Sequence, residues 1–453
     1  MKLERVRNYD LGMQVHFIRS ANVKLGDKDG MLFVYSDGYG IDPGEELLQF
    51  KYNGIVHIAV FTEDGKRLWD KQLPDGVMSG IWFVPAVPLD MDKDGVDEIY
   101  YVNNTGAPFS FMHRKLERIN ALTGEVTGVW PWPQNTFNER LSLCYRFYIV
   151  AGYAHGEPVL VTCQGTYGNM YLQGWSGNME KRWDVTIPAS APGPRASHMT
   201  PVLDINGDGV DELFWGERLL SMDDGSEVID YAPDYNGHSD VILPFIDYKT
   251  GETFIFTCRE DDDVPGVDRA FTFYAKGGVK WHGIDHGHIH TAWAANMDGR
   301  KVIMCKRQKF VPDDTGFVHE LDGIFYFDAY TGEPLSIELP CRGDLLYPID
   351  IDGDGEHEFL ADGGEYAGKL IDRHGNVLAE TGSPFRMGRM LDMPGEQIMT
   401  VAPDGHTVTI WADTEAKDSE IMTKRLENGY LLYMQKLMAT GYNSIGSQVS
   451  CAM

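Results

Sequence analysis

"PVLDINGDGVDELFWGERLLSMDDGSEVI", residues 201–229, carries two kinds of turn between short apolar runs. The first turn, D-I-N-G-D-G-V-D-E, spaces oxygen-bearing side chains two apart around glycines. The second, D-D-G-S, is a tight hairpin turn whose glycine supplies a positive φ. The flanking runs are too short for helices and are bounded by turn residues, so they read as strands. Two such hairpins in succession make one four-stranded antiparallel sheet.

Both turns recur along the chain. Tight hairpins stand at residues 59–69, 118–130, 172–183, 219–229, 271–281, 326–335 and 370–380. Their glycines, Gly65, Gly124, Gly177, Gly225, Gly278, Gly332 and Gly375, lie about 52 residues apart. Acidic turns stand at 87–102, 201–216 and 348–362, with degenerate copies at 23–38, 243–258, 294–305 and 391–405. A β-only repeat of this length is the signature of a propeller. Eight inner strands are counted, starting near His16, Gly80, Leu141, Ser197, Gly237, His288, Arg342 and Met387. The expected fold is therefore all-β, a single domain over residues 1–453 forming an eight-bladed β-propeller of four-stranded blades. Seven blades is the alternative count, and two stacked β-sandwiches the competing architecture. The tail, 407–411 and 430–438, is expected to complete a blade with N-terminal residues.

Composition narrows the partners. The chain has 453 residues, 43% hydrophobic and 12% aromatic, enough for a large core. With 68 acids against 39 bases, the formal net charge is −29, which phosphate backbones would repel. Nucleic acid is not expected as a partner; divalent cations are. No stretch approaches the roughly 20 apolar residues of a membrane span, so no membrane partner is expected. The N-terminus shows no continuous apolar core of a signal peptide. The six cysteines are scattered without a C-x-x-C, as in reduced thiols. Both features lead to an expectation of a cytoplasmic protein.

The acidic turns offer hard oxygen donors. Asp90, Asp92, Asp94 and Glu98 form D-x-D-x-D-G-x-x-E; Asp204, Asn206, Asp208 and Glu212 repeat it, as do Asp350, Asp352, Asp354 and Glu358. Such donors converge where a glycine allows a sharp bend, and they suit Ca²⁺. Flanking strands and a shorter loop distinguish them from EF-hands. An acidic turn that binds nothing is the plainer reading. Recurrence at one repeat position marks them as scaffold rather than active site.

A different constellation appears when the inner-strand starts are aligned. Repeat four begins R-A-S-H with His198, repeat five G-H-S-D with His238 and Asp240, and repeat six D-H-G-H-I-H with His286, His288 and His290. In a ring of blades these starts gather at one mouth. A hairpin through 249–251 returns Glu260 to the same end. His198, His238, Asp240 and Glu260 thus form a mixed nitrogen and oxygen site for Ca²⁺, or more conventionally for Mn²⁺ or Zn²⁺.

At these residues the chain resembles the rhamnogalacturonan lyase family of polysaccharide lyases. The resemblance implies an eight-bladed propeller that holds Ca²⁺. It also implies that His198, His238, Asp240 and Glu260 take the places of the two His, the Asp and the Glu binding the family's substrate-bridging Ca²⁺. G-Y-N-S (441–444) is similar to a family Tyr-Asn segment and gives Tyr442 a candidate catalytic role. Where the family has Gly-Arg-Gly before an apolar strand, this chain has His288 and His290. Other propeller lyases that cut rhamnose–uronate linkages use His and Tyr as base and acid.

The implied reaction is β-elimination on an acidic oligosaccharide or polysaccharide. It needs charge neutralisation of the uronate carboxylate, a base at C5 and an acid at the leaving oxygen. His288 or His290 is the candidate base, with further metal ligation as their alternative role. Tyr442 is the candidate acid, with Tyr167 second. Arg195 and Lys369 are candidates for meeting substrate charge, and Trp82, Trp293 and Tyr347 for stacking on sugar rings. The competing functional classes are a non-catalytic, calcium-stabilised propeller that binds glycans or proteins, and a hydrolase with two flanking carboxylates.

Overall fold

The computed structural model describes residues 1–41, 54–74, 76–105, 113–135, 145–247, 250–260, 268–313 and 316–443. They form eight antiparallel sheets, seven of four strands and one of three. Inner strands pack side by side in chain order: Phe17–Lys24 on Ala86–Leu89, then Phe147–Ala154 and Val202–Leu203. Ser239–Asp247 packs on His288–Met297, and that strand on Leu346–Ile349. Pro384–Gly388 returns to Phe17–Lys24 and closes the ring of an eight-bladed propeller.

The eighth blade joins the chain's two ends. Leu3–Asp10 pairs with Thr407–Asp413, from Leu3 opposite Asp413 to Asp10 opposite Thr407, so the ring closes by hydrogen bonds rather than by a loop. Two details differ from the sequence reading. The sixth sheet, His288–Met297, Arg300–Asp313 and Gly316–Asp328, has three strands among the described residues, with a lone bridge between Phe327 and Pro334 where a fourth would lie. Residues 430–438 are not a strand: helices α1 (Glu420–Glu427) and α2 (Tyr430–Met434) follow the last blade.

The repeat period has a packing cause. Trp69, at the outer strand of blade one, donates Nε1–H to the Ala121 carbonyl of blade two. Trp183 does the same to Met222, and Trp281 to Ala329, each in the next blade. Each indole lies against a hairpin glycine, Gly124, Gly225 or Gly332, at φ +73°, +71° and +73°. A Cβ there would come within 2.8, 2.7 and 2.7 Å of the ring. Glycine is thus required twice, for the turn and for the indole. The second strand Glu98–Asn104 is buried at every position, whereas the outer strand Arg67–Gln72 has no fully buried residue.

The axis is filled by the C-terminal segment 430–443. Asn22 and Ala86 donate backbone N–H to Gln435 and Ala439, Ile149 to Thr440 Oγ1, and Thr200 to Asn443 Oδ1. Arg19 Nη2 donates to the Met438, Thr440 and Gly441 carbonyls, and Arg386 Nη2 to Gln435. Lys436 pairs with buried Asp97 at 2.5 Å. No helix among the described residues is long and apolar enough to cross a membrane. Cys163, Cys258, Cys305 and Cys341 are free thiols; Cys144 and Cys451 lie outside the described residues.

Candidate metal centre

Three neighbouring blades build the centre at the end of the ring where inner strands begin. The segment before Val202–Leu203 runs beside the start of Ser239–Asp247, bridged at Ser197 and Ser239, with Arg195 N–H on the Gly237 carbonyl. That places His198 Nε2 3.2 Å from His238 Nε2. Glu260 follows the strand Glu252–Arg259 and donates its N–H to the His238 carbonyl, so the hairpin returns it to the same spot.

Asp240 and His290 are each the extra residue of a β-bulge, where the register skips from Ser239 to Val241 and from Ile289 to Thr291. A bulge re-aims one side chain without ending the strand. It turns Asp240 inward at 0% exposure, with Oδ1 3.3 Å from His198 Nε2 and 3.5 Å from His238 Nε2. Its Oδ2 lies 2.8 Å from His290 Nδ1 and 3.7 Å from His288 Nε2. Tyr167 closes one side, its hydroxyl donating to Glu260 Oε2 at 2.9 Å and its ring 4.8 Å from that of His238.

The electrostatics prepare donors. Burial, then the neighbouring His238, holds the His198 imidazole well below its usual pKa, leaving it neutral. Burial alone would raise the Asp240 carboxyl; the charge of His290, its hydrogen bond and the nearness of His238 outweigh it and hold it well below the ordinary range. Asp240 in turn pushes His290 up to about 9. Burial, then Asp240, raises Glu260. Asp240 Oδ1 is buried without a hydrogen bond, and so are His198 Nδ1 and His238 Nδ1. An orphaned carboxylate oxygen facing two imidazole nitrogens fits a bound cation.

Beneath the centre lies a buried ion pair. Arg259 clasps Glu217 through Nε and Nη2 at 2.9 and 2.5 Å, and the same carboxylate accepts from Ser239 and Thr257 hydroxyls. Arg259 also stacks on Tyr235 at 3.9 Å. This network fixes both strands that carry Asp240 and Glu260.

Tyr442 comes from the axial segment. Its N–H donates to the His198 carbonyl at 2.8 Å, and its ring lies 4.6 Å from His198 and 5.0 Å from Trp82. Its hydroxyl is close enough to Arg19 to offset part of the fall that burial imposes on that guanidinium's pKa. Arg146 stacks over Tyr167 at 4.8 Å and over Trp82 at 5.2 Å, adding a positive charge beside the centre. Arg146 belongs to no motif of the sequence. It directly precedes Phe147–Ala154, so the alignment of inner-strand starts that picked out the histidines would also have found it.

Other candidates lie elsewhere. Arg195 spends its guanidinium on Asn236 and the Pro188 and Ala191 carbonyls, which ties loops together rather than facing the centre. Lys369 binds the Glu365 carbonyl on the third strand of blade seven. Trp293 is 1% exposed, packed on Tyr326 and Phe359 with its N–H on the Gly343 carbonyl, so no sugar reaches it. Trp82 is likewise buried and supports His198 and Tyr442. Tyr347 lines a cavity of about 410 Å³ at the same mouth, with Arg19 and Arg386. His288 is fully buried, whereas the His290 side chain is 41% exposed.

The acidic loops occupy the opposite end, where inner strands turn into second strands. Each first aspartate accepts backbone N–H groups of its own loop: Gly95 on Asp90, Gly209 on Asp204 and Gly355 on Asp350. The closing glutamates Glu98, Glu212 and Glu358 accept from Met91, Ile205 and Ile351. Donor oxygens of Asp90, Asp92 and Asp94 converge, as do those of Asp350, Asp352 and Asp354. In the last loop Arg425 of α1 lies 3.5 Å from Asp350 Oδ2.

A ring of eight blades, with imidazoles and carboxylates converging at one mouth and acidic turns at the other end, defines a propeller with candidate cation-binding groups at both ends. No protein-family model matches the chain. It is 25% identical over 291 residues, 52% of its length, to the rhamnogalacturonan exolyase YesX of Bacillus subtilis (strain 168). It is 23% identical over 289 residues to the endolyase YesW of the same organism. The chain spans about half the length of these curated relatives, 47% and 45%. Its fold matches the YesX crystal structure over 96% of this chain and 80% of that one, at 18% identity and a TM-score of 0.73. The Bacillus licheniformis rhamnogalacturonan lyase PL11 matches at a TM-score of 0.72, with 18% identity over 97% of this chain and 81% of that one.

Proposed function

We propose that this protein is a cation-dependent lyase that cleaves rhamnose–uronate glycans by β-elimination. The observation that carries the reading is the meeting of His198, His238 and Asp240 at the ring's mouth, with Glu260 returned to the same end and Tyr442 beside His198. Sequence similarity to rhamnogalacturonan lyases and a shared fold support it. A divalent cation held by these four residues would mask the substrate carboxylate, without which the C5 proton is too weakly acidic to remove.

The chain's own residues supply the rest. Tyr442, pinned by its backbone to the ligand His198, would take the C5 proton as a phenolate and return it to the leaving oxygen, and Arg19 lies close enough to favour the charged form. Tyr167 holds Glu260 in place, and Arg146 adds positive charge where an acidic sugar would lie. His288 has no exposed surface on which to meet a C5 proton, which favours the ligand's role over the base's for it. Two imidazoles and two carboxylates suit Mn²⁺ or Zn²⁺, whereas Ca²⁺ suits the acidic loops, as a scaffold.

The test is ultraviolet absorbance of the unsaturated uronate on pectic rhamnogalacturonan, ulvan and gum arabic fragments, with Ca²⁺ or Mn²⁺ present or chelated. Cation-dependent absorbance on one of these glycans, lost in His198→Ala and His238→Ala, is the expected outcome. Silence on all three with either cation overturns the proposal.

A further inference from the structure

Asp240 serves two histidine pairs. Oδ1 faces His198 and His238 at 3.3 and 3.5 Å, and Oδ2 faces His290 and His288 at 2.8 and 3.7 Å. In each trio the donor atoms lie within 4.8 Å of one another, and Asp240 is common to both. The donors therefore sort into two coordination spheres that share one carboxylate.

We propose that Asp240 bridges two divalent transition-metal cations, one held with His198, His238 and Glu260, the other with His288 and His290. The proposal rests on the first of these cations, which the proposed function already requires, and adds the second.

Three observations carry it. The first is geometry. Around a tetrahedral ion with bonds of about 2.0–2.2 Å, neighbouring donors lie about 3.3–3.6 Å apart. The first trio meets this with edges of 3.2, 3.3 and 3.5 Å. In the second, 2.8 and 3.7 Å straddle it, and the third edge is within 4.8 Å.

The second is placement. Asp240 and His290 are both the extra residues of bulges, on neighbouring blades, aimed at one point. His288 is fully buried with Nε2 towards Asp240, a position useless for touching substrate but suited to a ligand. The two rings lie nearly parallel, 5.5 Å apart at 26°.

The third is charge. Asp240 and Glu260 together carry two negative charges, and one divalent ion cancels them once the proton between His290 Nδ1 and Asp240 Oδ2 has left. A second leaves the centre with two positive charges, in a chain whose net charge is −29 and whose proposed substrate is an anion. Paired cations about 3.5–4 Å apart are an established way to clamp two oxygens of one reacting group. Paired imidazoles with a carboxylate select Zn²⁺, Mn²⁺ or Co²⁺ over Ca²⁺.

The experiment uses the full chain, stripped with chelator and kept in excess Ca²⁺ so that the oxygen-only loops are filled. It is titrated with Co²⁺ and desalted, and retained cobalt and its visible absorption are measured. Two equivalents are expected, falling to one in His290→Gln, in His288→Gln and in His198→Gln. One equivalent in the unaltered protein overturns the second cation and leaves the single-cation lyase standing. Two equivalents that survive both His288→Gln and His290→Gln also overturn it, since the second ion then sits elsewhere. None retained overturns both readings. His290→Gln, at a partly exposed position, keeps the test open if His288→Gln does not fold, and an unchanged metal-free melting temperature verifies its fold.

Discussion

At one mouth of the ring, His198, His238, Asp240, Glu260, His288 and His290 arrive from three blades; at the other end, Asp90, Asp92, Asp94 and Glu98 come from a single turn. The first set is assembled by ring closure and sits on a buried ion pair. The second is assembled by one glycine-bearing loop and its own backbone N–H groups. The first therefore depends on global order, whereas the donors of the Asp90 loop are set within one hairpin. A chemical centre needs side chains at fixed mutual distances from several directions, which one turn does not provide. A structural cation needs only converging oxygens.

Breaking the first region has the largest expected effect. His238→Ala should lower kcat/KM on the cleaved glycan by more than about 100-fold, since even outer partners of ligands are worth 10–100-fold. The measurement is initial rate of unsaturated uronate formation, and a loss under tenfold would remove the residue from the centre. Next comes the support beneath it. Arg259→Met leaves Glu217 buried without its counter-charge, an expected cost of about 3–5 kcal/mol in denaturant unfolding. A cost under 1 kcal/mol would mean that the pair does not hold the strands.

Gly225→Ala tests the blade spacing that both regions share. It meets Trp183 at 2.7 Å at a positive φ, and should cost about 1–3 kcal/mol in the same assay.

The smallest effect on activity should come from the acidic loops. Asp92→Asn should reduce the rise in melting temperature that Ca²⁺ gives, and leave kcat/KM within about twofold. These loops also have a pH signature. Without cation, burial, then backbone and carboxylate neighbours, sets Glu98 and Glu212 at about 7 and Glu358 at about 9, above the usual 4.5. A folded pKa above the unfolded one gives stability that is present below about pH 4.5 and lost as pH rises through 7 to 9. In chelator the melting temperature should fall over that range, and Ca²⁺ should flatten the fall.

Much of this was legible from residue spacing. Hairpin glycines and trailing tryptophans repeat because each indole needs a glycine in the next blade, a pairing that leaves a period in the chain. Histidines at matching offsets pointed to one mouth because inner strands share a start. Tyr430–Met434 was harder to read: the helix has only five residues, all apolar or aromatic, and Leu432 is 49% exposed, so no one-sided pattern marks it. Arg146 carries no motif, and the closeness of Arg195 to His198 in sequence does not say where a long side chain ends.

By itself, then, the order of residues determined the blade, its period and the supply of donors, because strand alternation and turn chemistry act over a few neighbours. Only the tertiary structure decided that Asp240 stands between two histidine pairs, that Glu217 underlies it and that the C-terminal segment fills the axis. Each of these joins residues many positions apart, and bulges one residue wide set the final directions.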